Sequence, residues 1–403
     1  MRTRNPIVEQ ANAPPRFLHV NFNQDHECFS CATETGFEIY NNDPVQCSVK
    51  RKFAQGGLYG MSGIGYTRML YRTNYIALVG GGTHPRFSTN KIAIWDDIQQ
   101  KDSISLKFKS PVREIFLSRQ YIIVVLSQNI ELFTFSGNPT RICPPINHVN
   151  NGIADFVTCN KVRRDSSQDG QDPLASHVLT GILAYPSSII PGQIHVADLS
   201  NLQVTTSDDP FSTHLPTSII KAHKNSVRMV KLNRKGTLVA TCSVEGTLVR
   251  IFSIASGSLV REFRRGLDRA LIFDMQWDEK GNNLAVVSDK YTLHVFQIDK
   301  QLDKRHVLKG WFPKVKYLQG IWSMCSIKLD KRVLTHEDDK CKIGWIGDSS
   351  LSVIWQKSGV WEKYVIMEKI HEVNPNDPLY EAGGAPIEPK IETYLVREGW
   401  RQL

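Results

Sequence analysis

Seven short runs along the chain end in apolar residues: GFEIY (36–40), KIAIW (91–95), NIELF (129–133), QIHVA (193–197), LVRIF (248–252), LHVF (293–296) and LSVIW (351–355). Their ends fall roughly 50 residues apart, the length of a four-stranded blade with its loops. A second phrase recurs upstream of most of them. VRMVKLNRKGTLVATCSVEGTLVRIF (227–252) and IFDMQWDEKGNNLAVVSDKYTLHVF (272–296) share one order of parts. Each has an alternating strand, a polar turn with Lys-Gly, an apolar strand, a turn with Ser, and a third strand. YTRMLYRTNYIALVGGG and VREIFLSRQYIIVVLSQ repeat the theme earlier in the chain. Alternation with period two marks half-buried strands, and Gly, Asn, Asp and Ser mark the turns between them.

The pattern predicts an all-β fold, a seven-bladed WD40-like β-propeller of four-stranded antiparallel blades. One Trp-Asp pair, Trp95-Asp96, survives of the usual signature. The predicted division is an N-terminal tail over 1–16 and a single propeller over 17–403. A polar insertion (160–176) and an irregular Pro- and Asn-rich connection (370–391) interrupt the ring. After the second, ETYLVREGWRQL regains strand character and is expected to return to the last blade. Whether it or the N-terminal strand closes the ring stays open at this level.

Composition changes the picture little. Hydrophobic residues make up 41% and charged residues 22%, which allows a large core. The net charge of +9 points toward a polyanion: nucleic acid, an acidic membrane or an acidic protein. The N-terminus carries no apolar leader, and no apolar stretch is long enough for a membrane span. Eight cysteines without a leader suggest reduced thiols in the cytoplasm. Cys28 and Cys31 form a CxxC, but with no second CxxC and no histidine pair they read as strand interior rather than a zinc site.

Catalytic motifs are lacking: no phosphate-binding P-loop, no dinucleotide fingerprint after a strand, no HExxH and no GxSxG. Gly80-Gly81-Gly82 follows a strand but opens no helix, so it reads as a turn. No enzymatic activity, metal or cofactor is predicted. The segment that stands out is LVREFRRG (259–266), between the blades containing LVRIF and LHVF. It reads as the outermost strand of the fifth blade. Successive side chains of an extended chain point to opposite faces, so Arg264 and Arg265 should reach into two neighbouring pockets. Both are expected to be exposed, with Phe263 as an apolar anchor and Gly266 permitting a sharp exit.

The flanking blades carry matching polar sets. Ser243, Thr247 and Arg250 lie in the fifth, with His223 approaching from the preceding loop. Ser288, Thr292 and His294 lie in the sixth. Arginine forks and hydroxyls suit phosphate oxygens, and histidine adds a donor. The plain alternative is a charged, solvated edge strand with hydroxyls bonded to their own turns.

FRRG placed between TCSVEGTLVRIF and SDKYTLHVF resembles the PROPPINs, phosphoinositide-binding propellers of autophagy and vacuole biology that include the WIPI proteins. FLHVNFNQDHECFSCATETGFEIYN and IGYTRMLYRTNYIALVGGG are similarly family-like, and the resemblance spans roughly 17 to 370. It implies binding of phosphatidylinositol 3-phosphate and phosphatidylinositol 3,5-bisphosphate, one pocket on each side of FRRG. His223, Ser243, Thr247, Arg250 and Arg264 match the first pocket. Arg265, Ser288, Thr292 and His294 match the second, with Arg269 a further candidate. The family commonly has Gly before the second-pocket Thr, whereas this chain has Tyr291, whose ring is expected to narrow or reorient that pocket. The resemblance also implies autophagy-related protein partners. It implies a cytoplasmic protein peripheral on vacuolar, endosomal and preautophagosomal membranes.

A connection at 299–320 follows LHVFQI and interleaves cations with Leu308, Trp311 and Phe312. Its position is that of the membrane-inserting loop of PROPPINs, and Trp with Lys suits a membrane interface. The competing reading packs Trp311 and Phe312 on the sheet. Two other functions compete with lipid binding. One is a propeller scaffold for protein complexes, the other RNA binding, for which no aromatic stacking surface is evident; no nucleic acid partner is predicted.

Overall fold

A sheet whose central strands are apolar on both faces must be covered on both. Stacking such sheets around an axis meets that demand without a second layer. The computed structural model describes residues 15–53, 62–147, 151–162, 177–201, 215–298, 321–371 and 390–403. They form seven sheets around one axis, the predicted seven-bladed propeller. Blade 5 runs Val227–Leu232, Leu238–Ser243, Leu248–Ser253 and Leu259–Arg264 from the axis outward. Blade 6 runs Ile272–Trp277, Asn283–Ser288, Thr292–Gln297 and Cys325–Lys328. Between these two blades Cys242, Val249, Phe263, Met275, Leu284 and Phe296 belong to one buried cluster.

Six of the seven apolar runs fall on the third strand of their blades. LSVIW is the exception. It lies in Ser350–Trp355, the second strand of blade 7, and the third is Val360–His371. Second and third strands are both central in a four-stranded sheet and covered on both faces, so periodicity alone does not separate them. Cys28 and Cys31 lie buried in the strand Cys28–Thr33 as free thiols. Gly80 ends the strand Tyr75–Gly80, and Gly82 takes a left-handed φ of +81°, as befits a turn.

The C-terminal segment returns as expected. Lys390–Gln402 pairs antiparallel with Val360–His371 as the fourth strand of blade 7. Blades 1 and 7 are each complete from their own consecutive strands, so the ring closes on contacts between them rather than on a shared strand. Arg16 and Phe17 donate backbone N–H groups to the carbonyls of Lys357 (2.7 Å) and Gln356 (3.2 Å). Arg16 therefore belongs to the ring rather than to the tail predicted over 1–16. Near the axis Gly344 faces the Phe22 ring so closely that a Cβ would stand 2.4 Å from it. On the outside Trp361 is buried against Phe17, Val20 and Tyr40 of blade 1 and donates its indole N–H to Asn42 Oδ1 at 3.1 Å.

Trp361 thus holds the closing joint with both apolar area and a hydrogen bond. Trp361→Ala is expected to cost about 3–5 kcal/mol, the range for removing a large buried aromatic. Urea unfolding checks this, and a loss under 1 kcal/mol would place the ring's closure elsewhere.

Candidate functional site

In blade 5 the third and fourth strands set Leu248 opposite Arg264, Val249 opposite Phe263 and Arg250 opposite Glu262. Directly opposed residues share a face of the sheet. Phe263 is 1% exposed and stacks on Phe296 of blade 6, with ring centroids 4.9 Å apart. That face looks at blade 6. Arg250, Glu262 and Arg264 therefore stand on the other face, and Arg265 turns back toward blade 6.

The first set is linked through Thr241, which lies opposite Arg250. His223 Nε2 and the Thr241 hydroxyl are 2.9 Å apart. Arg250 donates from Nε to Glu262 Oε2 (2.7 Å) and from Nη1 to the Ala222 carbonyl (2.7 Å). Burial, then the Arg250 charge, lowers the pKa of His223 to about 4, so the ring is neutral at pH 7. Ser243 closes the second strand, and its hydroxyl accepts from the Glu245 N–H at 3.3 Å. Thr247 contributes its carbonyl to the Arg265 N–H at 2.9 Å.

The second set lies across Arg265. Arg265 donates from Nε to the Gly246 carbonyl at 2.9 Å and from Nη2 to the Asp268 carbonyl. His294 Nδ1 lies 3.2 Å from the Ser323 hydroxyl. Burial, then the Arg265 charge, lowers its pKa to about 4. Ser288 accepts from the Lys290 N–H, and Thr292 donates to the Lys290 carbonyl, both at 3.4 Å. The hydroxyls of Ser243, Ser288 and Thr292 thus bond the backbone of their own turns, as in the plain alternative noted from sequence.

Four expectations need correction. Arg264 and Arg265 are buried, at 8% and 5% exposure, rather than exposed. Leu259–Arg264 is not the outermost strand. Ile321–Trp322 lies outside it as a short parallel strand, Ile321 opposite Phe263 and Trp322 opposite Arg264, and this covers the arginines. Gly266 is not needed for a sharp exit, because its φ is not left-handed and the space around it is open. Arg269 approaches Glu245 of blade 5 at 3.8 Å and is mostly exposed.

Tyr291 is the fourth. Its φ of +55° is left-handed, a conformation that glycine takes freely and that Tyr291 adopts at a cost. Its ring enters the core between blades 6 and 7, stacks on Trp355 at 5.5 Å, and donates its hydroxyl to the Glu337 carbonyl at 2.9 Å. It does not narrow the second set.

Sequence reasoning missed Thr241, Glu262 and Ser323. Counting by twos back from Arg264 would have found Glu262. Thr241 follows from its pairing with Arg250. Ser323 carries no local signal, because a long connection delivers it. Leu308, Trp311 and Phe312 lie outside the described residues. Among the described residues no helix is long and apolar enough to cross a membrane, and no cluster suited to a metal ion occurs.

The fold is that of a WD40-like propeller, with a cation-and-hydroxyl set on either side of the end of Leu259–Arg264. A PROPPIN family profile matches residues 170–312. SVP1-like protein 2 of Eremothecium gossypii is 70% identical over 406 residues, covering 100% of both chains. The solved structure of Kluyveromyces lactis Hsv2 with a complete loop 6CD is 34% identical, with a TM-score of 0.69 over 97% of this chain and 99% of that one. The fold is also that of KlAtg21, solved in complex with the coiled coil of AgAtg16, at 20% identity and a TM-score of 0.62 over 88% and 94% of the two chains. The chain belongs to the PROPPIN family of phosphoinositide-binding, autophagy-related propellers.

The low histidine pKa values carry a sign. A bound phosphate favours the charged ring, so the complex holds more protons than the free protein between the free value near 4 and the higher bound value. Anion affinity relative to a His223→Gln/His294→Gln variant should therefore rise as pH falls from 7 to 5. The ratio cancels protonation of the phosphate itself. Calorimetric titration with soluble headgroup checks it, and a flat ratio would separate both rings from the ligand.

Proposed function

We propose that this chain is a non-enzymatic peripheral membrane protein that recognises phosphatidylinositol 3-phosphate and phosphatidylinositol 3,5-bisphosphate through two pockets flanking Arg264 and Arg265. The observation that carries this is the back-to-back arrangement at the strand end. Arg264 shares a face with Arg250, whose charge acts on His223, and Arg265 acts on His294 from the other side. Family membership supports the ligand class, and the specific lipids rest on the resemblance. Two headgroup contacts on one rigid body act by avidity, on the order of 10²–10⁴ over one site. The sites of action are then vacuolar, endosomal and preautophagosomal membranes. Other edges of the ring present autophagy-related proteins there, as KlAtg21 holds a coiled coil.

The test is liposome flotation with and without the 3-phosphoinositides. Arg264→Thr/Arg265→Thr is expected to abolish recruitment. Arg265 bonds two carbonyls, so the variant should also lose about 1–3 kcal/mol of stability. Arg264→Thr alone keeps those bonds and should halve the number of headgroup sites. Recruitment unchanged in a folded double variant favours the protein scaffold instead.

The connection at 299–320 is proposed to add affinity without lipid specificity. Trp311→Ser/Phe312→Ser should weaken liposome binding at least tenfold, since burying one large apolar side chain is worth ~1.5–3 kcal/mol. Soluble headgroup titration should stay unchanged. A lowered melting temperature with both assays falling in parallel would mean that the two rings pack on the protein.

A further inference from the structure

The segment Ile321–Met324 steps between two sheets. Ile321 and Trp322 pair in parallel with Phe263 and Arg264 of blade 5. Two residues later the Met324 N–H donates to the Val295 carbonyl of blade 6 at 2.8 Å, and Cys325–Lys328 becomes that blade's outer strand. Ser323 sits at the step, fixed by backbone bonds on both sides. Its hydroxyl lies 3.2 Å from Nδ1 of His294.

A neutral imidazole has one N–H and one lone pair. A phosphate oxygen must meet the N–H; meeting the lone pair is repulsive. If Nε2 carries the proton toward the ligand, the lone pair sits on Nδ1, on a ring that is 8% exposed. A buried acceptor needs a donor. We propose that Ser323 is a positioning residue of the second pocket: its hydroxyl donates to His294 Nδ1 and holds the ring in the Nε2–H tautomer, so that a neutral histidine offers a donor to phosphate. The inference rests on reading that set as a headgroup pocket. It makes the step between the blades part of the recognition apparatus, although Ser323 need not touch the ligand.

The charged groups around the ring agree with this need. Arg265 acts on His294 from blade 5, and Asp289 and Asp268 act on Arg265. On the blade 6 side Lys328 stands opposite Thr292 and bonds the Lys290 carbonyl. Among the described residues no carboxylate acts on the ring to recruit a second proton at pH 7, so the tautomer decides whether it can donate.

The experiment compares the full-length wild type with Ser323→Ala and Ser323→Thr. Ring ¹⁵N NMR reads the His294 tautomer. Calorimetry with soluble inositol 1,3-bisphosphate reads each site at pH 7 and pH 5. The wild type and the Thr variant should show Nε2–H and two sites. The Ala variant should lose the tautomer preference and bind about fivefold more weakly at one site at pH 7, the worth of one hydrogen bond. At pH 5, where a phosphate-bound ring takes up its second proton, that deficit should shrink. Circular dichroism melting should be the same in all three. A wild-type chain with the Nδ1–H tautomer and two intact sites overturns the role of Ser323. So does an Ala variant with wild-type affinity at pH 7, or one weakened at both sites with a lowered melting temperature. A wild type that binds no headgroup removes the pocket itself, and the NMR result then stands apart as a statement about the ring alone.

Discussion

The burial of Phe263 between blades 5 and 6 is the constraint on which the rim site depends. Its ring lies on Phe296 and opposite Val249, with 1% of its surface exposed. Once that side chain is inside, period two decides the rest. Glu262 and Arg264 must turn to the blade 4 side, and Arg265 must turn back. A slip of one residue would bring an arginine into an apolar cluster, at a cost no local contact could offset. The adjacent arginines are thus separated by the sheet that holds them, although only one peptide bond lies between them.

Arg250 and Arg265 have acceptors within the chain. Arg265 bonds two backbone carbonyls, and Arg250 bonds a carboxylate and a carbonyl. On the proposed function, an arriving phosphate exchanges partners with these groups. The gain is the difference between a charge-assisted bond to a dianion and a bond to a neutral carbonyl, roughly a factor of two in strength. Giving up Glu262 costs more than giving up a carbonyl, because it leaves a carboxylate beside the ligand. On that proposal each pocket is modest by construction, and capture of a membrane calls for both.

The parts of this arrangement that are local in sequence were legible there. The third-strand runs, the alternation across Phe263-Arg264-Arg265 and the return of the C-terminal strand all follow from period two. The misreadings of the arginines and of Tyr291 share one cause: partners brought from far along the chain. The arginines look exposed because the strand covering them, Ile321–Trp322, arrives from beyond a long connection. Tyr291 looks like an obstruction because its stacking partner Trp355 belongs to the next blade. Ser323 was invisible for the same reason as Ile321–Trp322.

The segment 321–328 gives the two proposed pockets a fixed relation. They share a wall, the end of Leu259–Arg264, and a single segment bonds to that wall and then to the strand carrying His294. Two sites on a flexible tether lose avidity as the tether samples spacings that do not fit. Here the spacing is set by sheet geometry on both sides and by the clamp between them. The joint between blades 1 and 7 lies well away from this rim and has no strand in common. Its integrity still matters, because a propeller opened at one seam lets every interblade angle relax, including the one between blades 5 and 6. Ring closure at Trp361 and pocket geometry at Arg264 and Arg265 are thus consequences of one requirement: seven wedges must fit together around a single axis.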